Sequence, residues 1–260
     1  MQNTPRAGAI AAALFATWWV STERAHAETC ESLSGRSLGN AAITAATAVT
    51  PPFTIKDEIM DQQITVSVPF CRAQGTIKPS PDSDIRFELW LPQDSAWNGK
   101  YEGVGNGGFA GSISYHAMAW AVEAGYAASG TDTGHVAPFN DASWARDHPE
   151  QIVDWAWRAI HETAGRSKAI VQAHYGRSPA HAYFSGCSDG GREALMEAQR
   201  FPEDYDGIVA AAPANYWNRL LASFVWNEQA LTAEPGFRNE AKRSRQPGCR
   251  GNCADCWTSG

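Results

Sequence analysis

The feature that most constrains this chain is a serine flanked by glycines, placed between a strand-like and a helix-like segment. Residues 186–191 read GCSDGG; residues 180–185 predict a strand, and residues 191–200 predict a helix. A sharp turn between strand and helix lifts a serine hydroxyl above a sheet, and side chains two residues to either side would collide there. The sequence therefore favours a nucleophile elbow with Ser188 as the attacking residue over a plain glycine-rich turn.

A second glycine-rich segment, residues 105–111 (GNGGFAG), follows a short predicted strand at 100–104. An oxyanion hole needs two backbone N–H groups directed at the developing alkoxide. One is expected from Asp189, which follows the nucleophile. The other is expected from Gly107 or Gly108, because glycine lets the backbone approach a substrate closely. Alone, this loop would be interpreted as a turn; beside an elbow, the oxyanion-hole interpretation is favoured.

Strand-like and helix-like segments alternate along much of the chain. Strands are predicted at 63–70, 85–91, 100–104, 126–130, 180–185 and 208–212, and helices at 114–123, 149–174 and 191–200. Pro149 suits the first position of its helix. Residues 28–60 show no strong periodicity. This order predicts an α/β fold with a mainly parallel sheet covered on both faces.

The N-terminus has the pattern of a secretory signal peptide. Arg6 precedes an almost uncharged apolar stretch at 7–20, and Ala25-His26-Ala27 supplies small residues for cleavage. A membrane anchor is the alternative, but the stretch is shorter than the roughly 20 residues of a spanning helix. We expect a signal peptide at 1–27, a mature chain from near Glu28, and a secreted or periplasmic protein without a membrane segment.

Charge excludes one class of partner, and cysteine usage fits the predicted export. The net charge of −7 provides no basic surface for nucleic acid. An even number of cysteines in an exported chain suggests disulfides, without giving their pairing. The 6 cysteines are Cys30, Cys71, Cys187, Cys249, Cys253 and Cys256.

Several segments together resemble the tannase and feruloyl esterase family. They are FSGCSDGGREAL (184–195), AQRFP (198–202), YDGIVA (205–210), TDTGH (131–135), the glycine loop, and Cys30 with PFC (69–71). The similarity runs from about Cys30 to about Phe237. It implies a partial α/β-hydrolase catalytic domain at 28–237 and esters of aromatic acids as substrates. Such esters include gallates, hydroxycinnamates and terephthalates.

The resemblance also implies roles for individual residues. Ser188 is the nucleophile, Asp189 with Gly107 or Gly108 forms the oxyanion hole, and Cys30–Cys71 is a structural disulfide. Cys187 is expected to bridge to a cysteine that follows the catalytic histidine. A calcium ion is expected in a lid domain of full-length members, so no cofactor is expected in this chain.

The sequence departs from the family pattern after Ser188. In α/β-hydrolases the acid and then the histidine follow the serine. None of the 7 histidines follows Ser188, and no cysteine follows a histidine directly. We therefore expect the triad acid and histidine, the Cys187 partner and the lid to be absent. The pair Asp132 and His135 is interpreted as bracing a loop rather than replacing the triad.

Residues 238–260 are rich in Arg, Lys, Gly and Cys and are expected to form an atypical, disordered tail, consistent with truncation or a frameshift near Phe237. A metal site of Cys249, Cys253 and Cys256 is the weaker alternative, since a fourth ligand is lacking. The sequence thus predicts an ester hydrolase, weakly active or inactive as this chain, that binds a small aromatic ester. The alternative is a non-catalytic exported protein that binds aromatic ligands on a degenerate hydrolase scaffold. The oligomeric state is not predicted.

Overall fold

The computed structural model describes residues 27–233, which form one eight-stranded sheet, a two-stranded hairpin and flanking helices. The sheet order is β1-β2-β5-β6-β8-β7-β9-β10, and β3 pairs with β4. The strands are β1 (Ser37–Leu38), β2 (Ala41–Val49), β3 (Phe53–Asp57), β4 (Gln62–Val66), β5 (Phe70–Ile77), β6 (Ile85–Pro92), β7 (Lys100–Val104), β8 (Ala127–Thr131), β9 (His181–Cys187) and β10 (Gly207–Ala211).

The helices follow the predicted order. They are α1 (Tyr115–Glu123), α2 (Pro149–Val153), α3 (Ala159–Tyr175), α4 (Asp189–Arg200) and α5 (Trp217–Ala233), with short 3₁₀ turns at Glu31–Leu33 and Ser143–Ala145. A π-helical segment, Asp154–Arg158, joins α2 to α3, so the helix predicted at 149–174 is nearly continuous. Helix α5 was not predicted from the sequence.

The sheet is mixed. Strands β8, β7, β9 and β10 pair in parallel, whereas β1, β2, β5, β6 and β8 pair antiparallel. The predicted α/β class is confirmed, and parallel pairing occupies the half of the sheet that carries Ser188. The antiparallel half is built mainly from residues 37–92.

One predicted strand is wrong in its bounds. The strand expected at 63–70 is two strands, because β4 ends at Val66 and β5 begins at Phe70. Pro69 lies between them, and proline has no N–H to donate to a sheet ladder. Cys71 therefore lies inside β5 and does not follow a strand end. Residues 28–60, where the sequence shows no strong periodicity and no strand was predicted, contain β1, β2 and β3.

Both faces of the sheet are covered, as predicted. Successive residues of a strand point to opposite faces. On β6, Leu89 and Leu91 belong to a core cluster that includes Ile170 and Val171 of α3. Trp90, between them, belongs to a second cluster with Met118 of α1 and residues of the β3–β4 hairpin.

The described residues contain no helix long and apolar enough to cross a membrane. Two predicted segments lie outside the described residues: the signal peptide at 1–27, apart from residue 27, and the tail at 238–260. The tail contains Cys249, Cys253 and Cys256. Those predictions stay predictions.

Candidate active site

Ser188 occupies the turn between β9 and α4 in a backbone conformation that non-glycine residues seldom adopt. Its φ is 61° and its ψ is −115°. Two backbone hydrogen bonds hold it there: the Ser188 N–H donates to Ala211 O at 3.1 Å, and the Ala214 N–H donates to Ser188 O at 2.9 Å. Ser188 itself is exposed. Strain held in place by the surroundings and a solvent-facing hydroxyl are the features expected of a nucleophile elbow.

The flanking glycines are required by close backbone contacts. A Cβ on Gly186 would lie 2.3 Å from Gly190 O, and a Cβ on Gly191 would lie 2.4 Å from Ala211 O. A Cβ on Gly190 would meet Asn106 O at 3.0 Å. The glycines on both sides of Ser188 therefore let α4 start directly against β9.

The glycine loop at 105–111 lies against this turn. The Gly105 N–H donates to Ser185 O at 2.9 Å, and the Gly190 N–H donates to Asn106 O at 2.8 Å. The Asn106 N–H donates in turn to Glu193 Oε2 at 3.0 Å. These bonds fix the loop to both β9 and the first turn of α4, so the two glycine-rich segments form one unit.

Three N–H groups at this junction are available to a ligand. Within residues 27–233, the N–H groups of Asp189, Gly107 and Gly108 donate to no other group. Gly108 has a φ of 61°, and a Cβ there would lie 2.1 Å from Phe139 O. The structure therefore places Asp189 and the loop glycines on adjoining segments.

The Asp189 side chain is buried and forms an ion pair with Arg192. The Arg192 guanidinium donates to both carboxylate oxygens, at 2.6 and 3.2 Å. Burial raises the pKa of Asp189, and the charge of Arg192 opposes this rise. Arg192 also donates to the Trp155 and Ala156 carbonyls of the π-helical segment. Asp189 thus offers only its backbone N–H to the site.

Sequence reasoning missed three residues that build this junction: Asn106, Arg192 and Glu193. Burial, with the Asp189 carboxylate nearby, holds the pKa of Glu193 well above its usual range. The signal that would have found Arg192 and Glu193 is a charged pair directly after the glycines that begin α4, and no sequence signal marked Asn106. Charged side chains there need buried partners.

An aromatic row runs beside the junction: Phe109, Trp217, Trp155, Trp144 and His135. Ring centroids are 5.2 Å apart for Phe109–Trp217, 5.4 Å for Trp155–Trp217, 6.2 Å for Trp144–Trp155 and 3.8 Å for His135–Trp144. Among the described residues, the buried indole N–H groups of Trp144, Trp155 and Trp217 have no acceptor. The row supplies flat apolar surface with three unused donors.

Asp132 and His135 contact the loops around them and make no hydrogen bond to each other or to Ser188 within the described chain. Asp132 Oδ1 accepts from the Arg86 and Gly134 N–H groups, at 3.0 and 2.9 Å. His135 Nε2 lies 2.9 Å from Phe109 O. Burial raises the pKa of Asp132 to about 7 and lowers the pKa of His135 to about 4. These contacts are those of a loop brace.

Two disulfide predictions have different outcomes. Cys30 and Cys71 form a disulfide with a Cα–Cα distance of 5.5 Å, as the resemblance implies. Cys187 is also disulfide-bonded, which corrects the expectation that its partner is absent from this chain. The family pattern implies a partner cysteine directly after a histidine, and this chain has no cysteine in that position.

Comparison with known proteins decides the family. A family model described as tannase and feruloyl esterase matches residues 71–242. The chain belongs to this family. It is 41% identical over 207 residues to an uncharacterized esterase of Xanthomonas campestris pv. campestris, covering 79% of this chain and 35% of the relative. Feruloyl esterase B of Aspergillus niger is 33% identical over 176 residues, covering 67% of this chain and 33% of that protein.

A solved structure gives the same result. The crystal structure of feruloyl esterase B from Aspergillus oryzae superposes with a TM-score of 0.65 at 34% identity, covering 71% of this chain and 36% of that one. The family and the α/β-hydrolase fold predicted from the sequence are thereby confirmed. The chain spans about a third of the length of the curated relatives it matches.

Proposed function

We propose that this chain carries the nucleophile and oxyanion-hole portion of a carboxylic ester hydrolase that forms an acyl-enzyme on Ser188. The observation that supports it is the strained, exposed Ser188 beside the N–H groups of Asp189, Gly107 and Gly108. As the Ser188 Oγ attacks the ester carbonyl carbon, a general base takes the hydroxyl proton, and the carbonyl oxygen becomes an alkoxide held by these N–H groups. Collapse breaks the bond to the alcohol oxygen, which receives that proton from the base; water then hydrolyses the acyl-enzyme by the same steps and regenerates the serine.

The proposed substrates are esters of small aromatic acids. The aromatic row from Phe109 to His135 offers a flat surface close to the junction, and aromatic rings pack favourably on one another. Two relatives are named feruloyl esterases. The choice among gallate, hydroxycinnamate and terephthalate esters stays a prediction.

We further propose that these 260 residues alone hydrolyse esters weakly or not at all. A serine hydroxyl needs a general base, and none of the 7 histidines follows Ser188 in the order that α/β-hydrolases use. No described side chain hydrogen-bonds the Ser188 hydroxyl. An oxyanion hole without a complete triad retains about 10³–10⁴-fold acceleration over water.

Chemical rescue tests these proposals together. With imidazole present as the base, a fluorophosphonate probe should label the purified protein, intact mass should show one adduct, and Ser188→Ala should abolish it. Ser178→Ala, which removes an exposed serine elsewhere, should label like the unmodified protein. Added imidazole should raise the hydrolysis of an aryl ferulate in the unmodified protein only, because it supplies the missing base. Labelling that persists in Ser188→Ala would refute the nucleophile.

Ordinary esterase turnover without imidazole, lost in Ser188→Ala, would refute weak activity and leave the nucleophile assignment intact. The second candidate function, an exported binding protein for aromatic ligands, is favoured by the unused indole donors of Trp144, Trp155 and Trp217. It predicts that ferulate quenches tryptophan fluorescence equally in the unmodified protein and in Ser188→Ala, while neither protein is labelled.

Export remains part of the proposal. The Cys30–Cys71 disulfide fits an oxidising compartment. The described fold is already anchored at Glu28, whose N–H donates to Ala173 O at 3.2 Å. Expression in a bacterial host should therefore yield a periplasmic protein whose N-terminal residue, read by mass spectrometry, lies near Glu28. A retained residue 1 would contradict cleavage.

A further inference from the structure

Three side chains that could ligate a metal converge away from Ser188. His161 of α3, Glu197 of α4 and Asp204 of the following loop each offer a ligand atom, and these atoms lie within 4.8 Å of one another. Glu197 is nine residues beyond Ser188, or about 13 Å along the axis of α4 at 1.5 Å per residue. The cluster is therefore separate from the proposed esterase site.

The Glu197 carboxylate is buried without a hydrogen bond that would compensate for its loss of solvent. Its exposure is 0%, and neither oxygen has a hydrogen-bond partner among the described residues. A buried carboxylate without a partner is costly, so such a group points to a ligand that neutralises it.

The other two side chains are held in position. Asp204 is fixed by its N–H, which donates to Phe201 O at 2.9 Å, and by Lys168, whose ammonium donates to Asp204 O at 2.8 Å. His161 stacks on Phe201 with a centroid distance of 3.9 Å. Asp204 Oδ2 then lies 2.6 Å from His161 Nδ1, so the pair is preorganised in front of Glu197.

We propose that His161, Glu197 and Asp204 bind one divalent cation of the Mn²⁺ type, which ties α3 to the end of α4. One imidazole and two carboxylates form a donor set that such cations accept. Lys168 contacts only Asp204 of the two carboxylates, and a dication would give Glu197 the partner that it lacks. Donors about 2.1 Å from a metal lie at most about 4.2 Å apart, and a contraction of well under 1 Å satisfies this limit.

This inference is independent of the esterase proposal, and it revises the expectation of no metal in this chain. A thermal melt with Mn²⁺ alone tests it. Mn²⁺ is chosen because it prefers oxygen ligands, whereas free cysteine thiolates prefer zinc. The melting temperature of the full chain should rise by about 5–10 °C at a hundredfold excess of Mn²⁺ over its Kd.

Two variants make the test specific. Glu197→Gln is isosteric and neutral, and His161→Phe keeps the stacking on Phe201; both should fold and lose the response to Mn²⁺. His148→Phe is the matched control, because His148 lies 3.1 Å from Asp82 Oδ1 but is exposed and has no buried third carboxylate. It should respond like the unmodified protein. No rise in the unmodified protein, or an equal rise in Glu197→Gln and His161→Phe, would overturn the proposal.

Discussion

At the scale of the residue, the site depends on backbone conformation more than on side-chain chemistry. Ser188 is held at a positive φ by bonds to Ala211 and Ala214, and Asp189 contributes only its N–H. A residue in a sparsely populated backbone region costs about 1–3 kcal/mol and persists only when its surroundings impose it. That cost should be measurable at Ser188.

Ser188→Gly should stabilise the protein by about 1 kcal/mol relative to Ser188→Ala. Glycine adopts a positive φ without strain, whereas alanine does not. We expect this relief of strain to outweigh the greater conformational entropy that glycine loses on folding. Urea denaturation of the two variants gives the difference directly, and neither retains a nucleophile. Equal midpoints would mean that the turn stores no strain at this residue.

The sequence revealed this junction only in part. The glycine spacing predicts the elbow because a Cβ at Gly186 or Gly190 would collide, and that collision is a local property of the turn. The Asn106–Glu193 bond was missed because it depends on how a loop and a helix from distant parts of the chain meet. The Arg192–Asp189 pair has i, i+3 spacing within α4, so it was readable from the sequence.

Asp132 should make stability depend on pH. Its folded-state pKa of about 7 lies above the usual value of 3.8, so between these values the folded state binds more protons than the unfolded state. Its contribution to the free energy of unfolding is complete below about pH 4 and is lost as the pH rises through 7. Each pKa unit corresponds to about 1.4 kcal/mol.

Asp132→Asn should remove this loss, because the amide oxygen still accepts from the Arg86 and Gly134 N–H groups and carries no charge. The variant should be more stable than the unmodified protein at pH 8, by up to a few kcal/mol, and close to it at pH 4. Urea midpoints at the two pH values check this. His135 titrates in the opposite direction, with a lowered pKa, and cancels from the comparison.

At the scale of the element, strands were predicted correctly where apolar and polar side chains alternate clearly. They were missed where the side chains are small. β6 (IRFELWLP) was predicted nearly to its ends. β2 (AAITAATAV) was missed, because alanine and threonine give little contrast between a buried and an exposed face. Its strand state comes from pairing with β5, 20 or more residues further along the chain.

The packing of α4 on β9 should tolerate no side chain at Gly186. Gly186→Ala would place a Cβ 2.3 Å from Gly190 O, so we expect a loss of about 3 kcal/mol and of fluorophosphonate labelling. Gly165→Ala is the control: Gly165 is exposed in α3, and a Cβ there meets nothing within 4 Å. It should stabilise by about 0.5–1 kcal/mol. Matching losses in both variants would show that crowding at the elbow is unimportant.

At the scale of the whole molecule, one end of the described sheet is poorly covered. β10 pairs with β9 and has no second neighbour among residues 27–233. Val209 on this strand is 63% exposed, and Trp226 on α5 is 73% exposed. Unpaired strand edges and large exposed apolar side chains both promote association. The better covered antiparallel end, where the Cys30–Cys71 disulfide lies, shows no comparable exposure within the described residues.

We therefore expect the purified chain to self-associate at micromolar concentrations through β10 and α5. Sedimentation velocity should show a weight-average mass that rises with concentration. Val209→Lys combined with Trp226→Lys should suppress the rise, because lysine on an edge strand opposes pairing and removes apolar surface. Trp120→Lys is the control, since Trp120 is 52% exposed on α1, against the better covered part of the sheet. If the double variant associates as strongly as the control, the contact lies elsewhere on the molecule, and the open end of the sheet is not its cause.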